Sequence, residues 1–419
     1  MRIAICLPAI MAFLMFTARA QQPPQIKKVD LPEGEGKEVT AKACSVCHSL
    51  DRLTRRMGHT PDEWQNVVDR MTIYGAPLNK EQQATVVSYL DKTFPNKAEK
   101  PVLIPGAVEA QIKEWKIPNG APFPHDPLYA RNGMVWYSGL VGNVLGRFDP
   151  KTEEFKQYKL KTPRSSPHGL TDDAEGNIWF TANSGNYIGK LDPNTGDITE
   201  YHIPVKGSPH TPVIDKKGNL WFTMEGPNML GRLVMKTGEF KVVPSPTEDS
   251  GPYGIQLNSK GVPFYAESRT NKVASIDPDT MEIHEYVVPN TAARPRRIAI
   301  APDDTVFYTD FEKGTLGKLD PKTGKFTEWK SPGGVDSAPY AITSIQGIIW
   351  YSESGVRPNS MVRFDPKTEK FQTWAIPSGG GTVRNMSVTP AGDIWFTSSS
   401  FNKVGVVQIK KGTKISELR

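Results

Sequence analysis

Seven landmarks recur along most of the chain at nearly constant spacing, and that regularity restricts the fold more than any other feature. His125, His168, His210, Tyr253, Arg296, Tyr340 and Arg384 follow one another at intervals of 43, 42, 43, 43, 44 and 44 residues. A short distance after each comes an aromatic segment: Trp136-Tyr137-Ser138, Trp179-Phe180-Thr181, Trp221-Phe222-Thr223, Phe264-Tyr265-Ala266, Phe307-Tyr308-Thr309, Trp350-Tyr351-Ser352 and Trp395-Phe396-Thr397. A period in this range is that of a four-stranded propeller blade. The third strand of a unit commonly ends in Asp-Pro, as at Asp149-Pro150, Asp192-Pro193, Asp277-Pro278, Asp320-Pro321 and Asp365-Pro366, which is turn chemistry between strands three and four.

Fourth strands are legible at 198–201, 283–286, 326–329 and 371–374, yet the seventh unit stops after the strand holding Val406 and Val407. A segment of the missing form, Ile112-Lys113-Glu114-Trp115 followed by Ile117-Pro118, precedes the first unit. A strand over 111–117 is therefore expected to cover the open edge of the last blade and close the ring, since an exposed edge invites association.

The first hundred residues read differently. Arg2, the apolar run Ile3 to Phe16 and Ala18-Arg19-Ala20 have the form of a cleavable secretion signal over 1–20. The apolar run falls short of the roughly 20 residues a membrane span needs. An exported, periplasmic protein with no integral membrane segment after cleavage is the expectation. The formal charge of +6 drops to +4 once Arg2 and Arg19 leave, and no dense basic block exists, so nucleic acid is not an expected partner.

Residues 44–48 read Cys-Ser-Val-Cys-His. Two thiols at this spacing can add across the vinyl groups of one porphyrin while the adjoining imidazole binds iron. The alternative is a redox dithiol, but the strand and helix context of such a fold is absent around it. Cys6 departs with the signal, leaving Cys44 and Cys47 as the only mature thiols. Covalent haem c on Cys44 and Cys47, with His48 as the proximal iron ligand, is the expected cofactor. Around it the pattern is helical: a short helix over 36–43, one over 61–72 capped by Thr60 with Glu63 three residues on, and one capped by Asn79 with Gln83, Val87, Leu90 and Phe94 on a face. Residues 97–106, rich in Lys, Glu and Pro, read as a linker.

This region, 21–100 with a core of 34–96, resembles the small monohaem cytochromes c, in which a methionine between the middle and last helices often takes the second axial position. The resemblance implies Met71 as distal ligand, with Met57 and His59 as rivals. The expected fold is thus a small all-α cytochrome c domain followed, over 101–419, by an all-β seven-bladed β-propeller.

Each landmark begins the innermost strand of its blade, so the seven side chains should ring one mouth of the central channel, with Glu267, Asp310 and Glu353 nearby. That mouth is the default place for a small-molecule ligand or a redox partner protein. Units such as Ser-Pro-His-Gly-Leu, Asn-Ile-Trp-Phe-Thr and Tyr-Ile-Gly-Lys-Leu-Asp-Pro resemble the streptogramin (virginiamycin B) lyase family. The resemblance implies seven blades and, for an enzyme of that kind, His210 as base, His168 against substrate and Glu225 as a Mg2+ ligand. Ser208 stands where the family would have a further carboxylate, and Met224 where other blades carry their acid. An exported electron-transfer protein with a recognition propeller is the leading reading; a magnesium-dependent lyase with an accessory haem is the alternative.

Overall fold

The computed structural model describes residues 30–46, 50, 53, 59–73, 75–96, 100–118 and 123–410. From residue 110 onward the chain forms seven four-stranded antiparallel sheets arranged as propeller blades. The aromatic second strands, among them Val135–Gly139, Ile178–Ala182 and Ile394–Ser398, are buried along their whole length. Side chains alternate across a strand, so the two aromatics of each pair fill different gaps between blades. Trp136 packs with Phe180 and Leu170 of the second blade, whereas Tyr137 packs with Trp395 of the seventh. In five blades the second aromatic also lies flat over a glycine of the third strand, as where a methyl at Gly146 would come 1.8 Å from the Tyr137 ring; Ala274 and Val362 take that place in the fourth and sixth. The Asp-Pro segments are turns held by their own aspartates, as where Asp149 accepts from the Lys151 amide at 2.9 Å and Asp192 from Asn194 at 2.8 Å.

The ring closes with a strand from the front of the repeat. In the last blade the order is β1 (Ala110–Lys116), β28 (Lys403–Ile409), β27 (Ile394–Ser398), β26 (Met386–Val388). The β1–β28 ladder runs unbroken from Ala110↔Ile409 to Lys116↔Lys403. Trp115 stacks on Trp395 at 5.8 Å and Phe148 at 5.0 Å, joining the seventh blade to the first. The segment read as a linker is partly anchored: Val102 and Ile104 exchange hydrogen bonds with Thr373, and Val108 with Gln372, of the sixth blade.

Every inner strand from the first blade to the sixth is bulged at its landmark, between Pro124 and Pro127, Pro167 and Leu170, Pro209 and Pro212, Pro252 and Ile255, Pro295 and Ile298, and Pro339 and Ile342. A bulge re-aims side chains out of the ladder. It also leaves backbone groups unpaired, and the hydroxyl that follows each aromatic pair takes them up. Thr181 receives the Gly169 N–H at 2.8 Å within its blade and donates to the His210 carbonyl of the next at 2.7 Å. Ser138 does the same for Asp126 and His168, and Thr397 donates to the His125 carbonyl across the closure. The fourth blade has Ala266 instead. There Gly254 lets the Arg297 backbone come so near that an added methyl would meet its Cα at 2.8 Å.

Among the described residues of the N-terminal unit are three helices, α1 (Lys37–Cys44), α2 (Pro61–Ile73) and α3 (Lys80–Thr93). The expected capping box forms at α2, where Thr60 and Glu63 hydrogen-bond reciprocally, and the expected Asn79 cap of α3 proves to be a second box, with Gln82 as its partner. Trp64, Val68, Val86, Tyr89 and Leu90 make the core with Val87 and Phe94 packed against it, so the expected face of α3 holds at Val87, Leu90 and Phe94 and widens to take in Val86 and Tyr89. The Tyr89 hydroxyl donates to the Pro32 carbonyl at 2.7 Å, which draws that face inward.

Thr181→Val keeps the shape of a buried side chain but orphans one N–H and one carbonyl, and should lower unfolding free energy by about 1–3 kcal/mol in urea titrations. Trp115→Ala should cost about 3 kcal/mol; an unchanged urea midpoint would show that the closing strand does not bear on stability.

Candidate functional site

The bulges place the seven landmarks in one continuous ring. His125 and His168 have ring centroids 3.7 Å apart, His168 and His210 3.9 Å, and His210 and Tyr253 4.0 Å. The Arg296 guanidinium lies 4.6 Å over Tyr253, 4.8 Å over Tyr340 and 4.8 Å over Phe311, and that of Arg384 5.8 Å over Tyr340. Tyr253 and Tyr340 join their hydroxyls in a short hydrogen bond.

Beneath the landmarks lies a second layer, formed by the residue after each: Asp126, Gly169, Thr211, Gly254, Arg297, Ala341 and Asn385. Arg297 crosses the channel to pair with Asp126 at 3.1 Å and reaches Thr211 at 3.4 Å, while Asn385 donates to Asp126 at 2.8 Å. Only 4% and 1% of the Arg297 and Asp126 side chains are exposed, so this ion pair is a plug across the axis. Small residues at the alternate positions make the room.

The ring has two electrostatic halves. Burial first, and then neighbouring guanidiniums and imidazoles, hold His125, His168 and His210 well below the ordinary histidine range. They are neutral imidazoles at physiological pH. On the other side burial works to raise Tyr340, but Arg296, Arg384 and Arg297 outweigh it and bring the phenol down to about 7. Burial and that neighbouring charge push Tyr253 upward.

Glu267, Asp310 and Glu353 do not join the ring. Each serves loops between blades: Glu267 accepts from Ser245 and Thr270, Asp310 from the Arg294, Glu312 and Lys313 amides, and Glu353 from Ser331 and the Gly333 amide. Burial raises all three, Glu267 to about 7.

His168 and His210 are thus brought together, and Glu225, just past the Pro209↔Met224 pair, meets Arg269 at 3.6 Å and Ser268 at 3.4 Å. Among the described residues, the one group of three or more potential metal-binding side chains is His125, Asp126 and His168. Its only carboxylate already carries the Arg297 guanidinium. Magnesium needs charged oxygens and an open shell for water, and these donors do not fit it.

The helical unit sits on this same mouth. The loop after each second strand lies at the landmark end of its blade, as the Pro339↔Glu353 register shows. From these loops Arg357 donates to Glu63 at 3.4 Å, His59 at 3.2 Å and Asn96 at 3.4 Å, and the Ser400 carbonyl accepts from Asn66 at 2.7 Å. Arg70 lies 4.3 Å over Phe123, whose ring is also 5.6 Å from the Arg384 guanidinium. Buried Glu63 is pushed up by desolvation, yet His59, the Thr60 amide and Arg357 hold it below the usual carboxylate range.

Cys44 ends α1, half-buried beside the apolar core, and burial raises its thiol. Met71 is half-buried and stands outside that core cluster. His59 is committed to Glu63, Trp64 and Arg357. Cys47, His48 and Met57 lie outside the described residues, as does the segment read as a secretion signal. No helix among the described residues is long and apolar enough to cross a membrane.

Fold and site together define a seven-bladed propeller with a histidine, tyrosine and arginine ring at one channel mouth. The Virginiamycin B lyase family is matched over residues 169–418, more than half of the chain, and the chain belongs to that family. It is similar to virginiamycin B lyase from Staphylococcus aureus, at 24% identity over 72% of this chain and 100% of that one, with a TM-score of 0.66. A catalytically inactive histidine-to-alanine variant of that enzyme with quinupristin compares at 23% identity, 72% and 100% coverage and a TM-score of 0.66. Kuenenia stuttgartiensis hydrazine synthase compares at 13% identity, 70% and 97% coverage and 0.59. At these identities the likeness is one of fold. No curated protein matches the chain in sequence.

Tyrosinate absorbance should appear around neutral pH in the folded protein and vanish in Tyr340→Phe. The folded pKa lies below the ordinary phenol value of about 10, so the stabilisation is full above that value and lost as pH falls through about 7. Identical titrations of the two proteins would remove Tyr340 from this role.

Proposed function

We propose that this chain is an exported, periplasmic c-type monohaem electron-transfer protein whose propeller recognises a ligand or redox partner at the channel mouth. Cys44 and Cys47 hold the haem covalently, His48 is the proximal ligand and Met71 the distal one. When bound, such a group supplies one-electron chemistry, and thioether ligation favours a higher potential than two imidazoles. The observation that carries the reading is the seat of the helical unit: Arg357, Asn66 and Arg70 tie it to the rim of the landmark ring. A unit fixed there is a neighbour of whatever the channel binds.

The residues present favour this over a lyase. Glu225 is occupied by Arg269, Asp126 by Arg297, and Ser208 offers no charge to a cation. The half-buried thioether of Met71 and the apolar surroundings of Cys44 suit a porphyrin.

Exported protein should be coloured, with a mass that includes one haem and lacks residues 1–20. Cys44→Ser should lose the covalent mass, and Met71→Ala should keep it but change the reduced-minus-oxidised spectrum. Colourless protein from a host with active haem-attachment machinery would overturn the reading, and an unchanged Met71→Ala spectrum would move the distal position elsewhere.

A further inference from the structure

The arginines of the ring lack counter-charges. Arg297 has Asp126, but neither Arg296 nor Arg384 pairs with a carboxylate among the described residues; Arg296 donates to the Tyr253 hydroxyl at 3.4 Å and Arg384 to that of Tyr340 at 3.5 Å. Even with Tyr340 as phenolate, three guanidiniums face two anions, and one positive charge is left over. Burying a charge without a partner is costly, which makes such a place a receptor for an anion.

Unused donors belong to the same ring. The Nε of Arg296, the Nε of Arg384 and the Nδ1 of His168 are buried without a hydrogen-bond partner, and His168 is only 6% exposed. The walls between them are flat: three stacked imidazoles, two phenols and Phe311. An approach exists beside the fourth and fifth blades, away from the helical unit. An open cleft of about 480 Å³ there is lined by Ser268, Arg269, Ala292, Arg294, Glu312 and Lys313. Arg269 is neutralised by Asp249 and Glu225, whereas Arg294 and Lys313 have no ion-pair partner among the described residues. Phe311, next in the chain to Glu312 of the cleft, lies beneath the Arg296 guanidinium of the ring. Positive charge lining an approach draws anions toward it.

We propose that the channel mouth binds a flat aromatic carboxylate, with Arg296 and Arg384 holding the carboxylate and the imidazole and phenol rings holding the body. This deepens the ligand-recognition half of the function proposed above. Guanidinium and carboxylate match in shape as well as charge, because two parallel N–H donors meet two oxygens.

Calorimetric titration of the full chain with benzoate, and with benzamide as its neutral counterpart, tests the assignment. Benzoate should bind one to one, more weakly as salt rises, and benzamide about tenfold more weakly or worse. Arg296→Gln and Arg384→Gln should each lose about tenfold or more for benzoate, and Arg296→Lys should recover part of the loss. Arg131→Gln, at the far end of the first inner strand, should bind as the unaltered protein does. Equal binding of benzoate and benzamide, no binding of either, or full benzoate affinity in both Gln variants would overturn the proposal. Haem content is read on the same samples: haem-loaded protein that ignores benzoate sinks this proposal alone, and haem-free protein that binds it sinks the haem reading alone.

Discussion

One repeated hydrogen-bond arrangement carries the architecture of the channel. A bulge at the head of the inner strand turns the landmark and its successor out of the ladder, and a hydroxyl from the next strand satisfies what the bulge leaves unpaired. Because that hydroxyl also donates to the neighbouring blade, as Thr181 does to the His210 carbonyl, the position of one landmark fixes the next. Buried backbone groups cost too much to leave unmade for the bulges to persist without it. The ring of side chains is therefore a consequence of backbone bookkeeping, and its chemistry is free to vary from blade to blade.

That freedom is used to divide the mouth. Blades one to three contribute neutral imidazoles in van der Waals contact, and blades four to seven contribute phenols and guanidiniums. The Arg297–Asp126 pair ties the halves together across the axis and closes the channel below them. Removing either partner would leave a buried charge, so the plug is rigid as well as polar. A ligand at this mouth meets a wall of aromatic faces and a pole of positive charge.

Local pattern made the blades legible. The landmark spacing, the aromatic pairs, the Asp-Pro turns and the displaced closing strand all lie within short windows whose periodicity sets strand and turn. The second layer was not legible, since Asp126 and Arg297 stand 171 residues apart and only closure of the ring brings them together. A signal for it did exist: the residue after each landmark alternates between polar and small, Asp, Gly, Thr, Gly, Arg, Ala, Asn. The serine or threonine after six of the seven aromatic pairs was in view too, without its role as the link between blades. Glu225 was legible as a carboxylate near His210 in the chain, but its ion pair with Arg269 of the next blade was not. The buried face of α3 is wider than the sequence pattern suggested, because Tyr89 answers to a carbonyl far away in the chain.

The seat of the helical unit is what makes the two halves of the chain one device. Glu63 caps its own helix and receives Arg357 from the propeller, so the fold of the small unit and its attachment share a residue. Anomalous diffraction at the iron edge from crystals of the exported protein examines this most directly. The account predicts one iron position per chain, bonded within the helical unit near Cys44 and on the side of the propeller that carries His125, His168 and His210. No iron, or iron on the opposite face of the propeller, would contradict it.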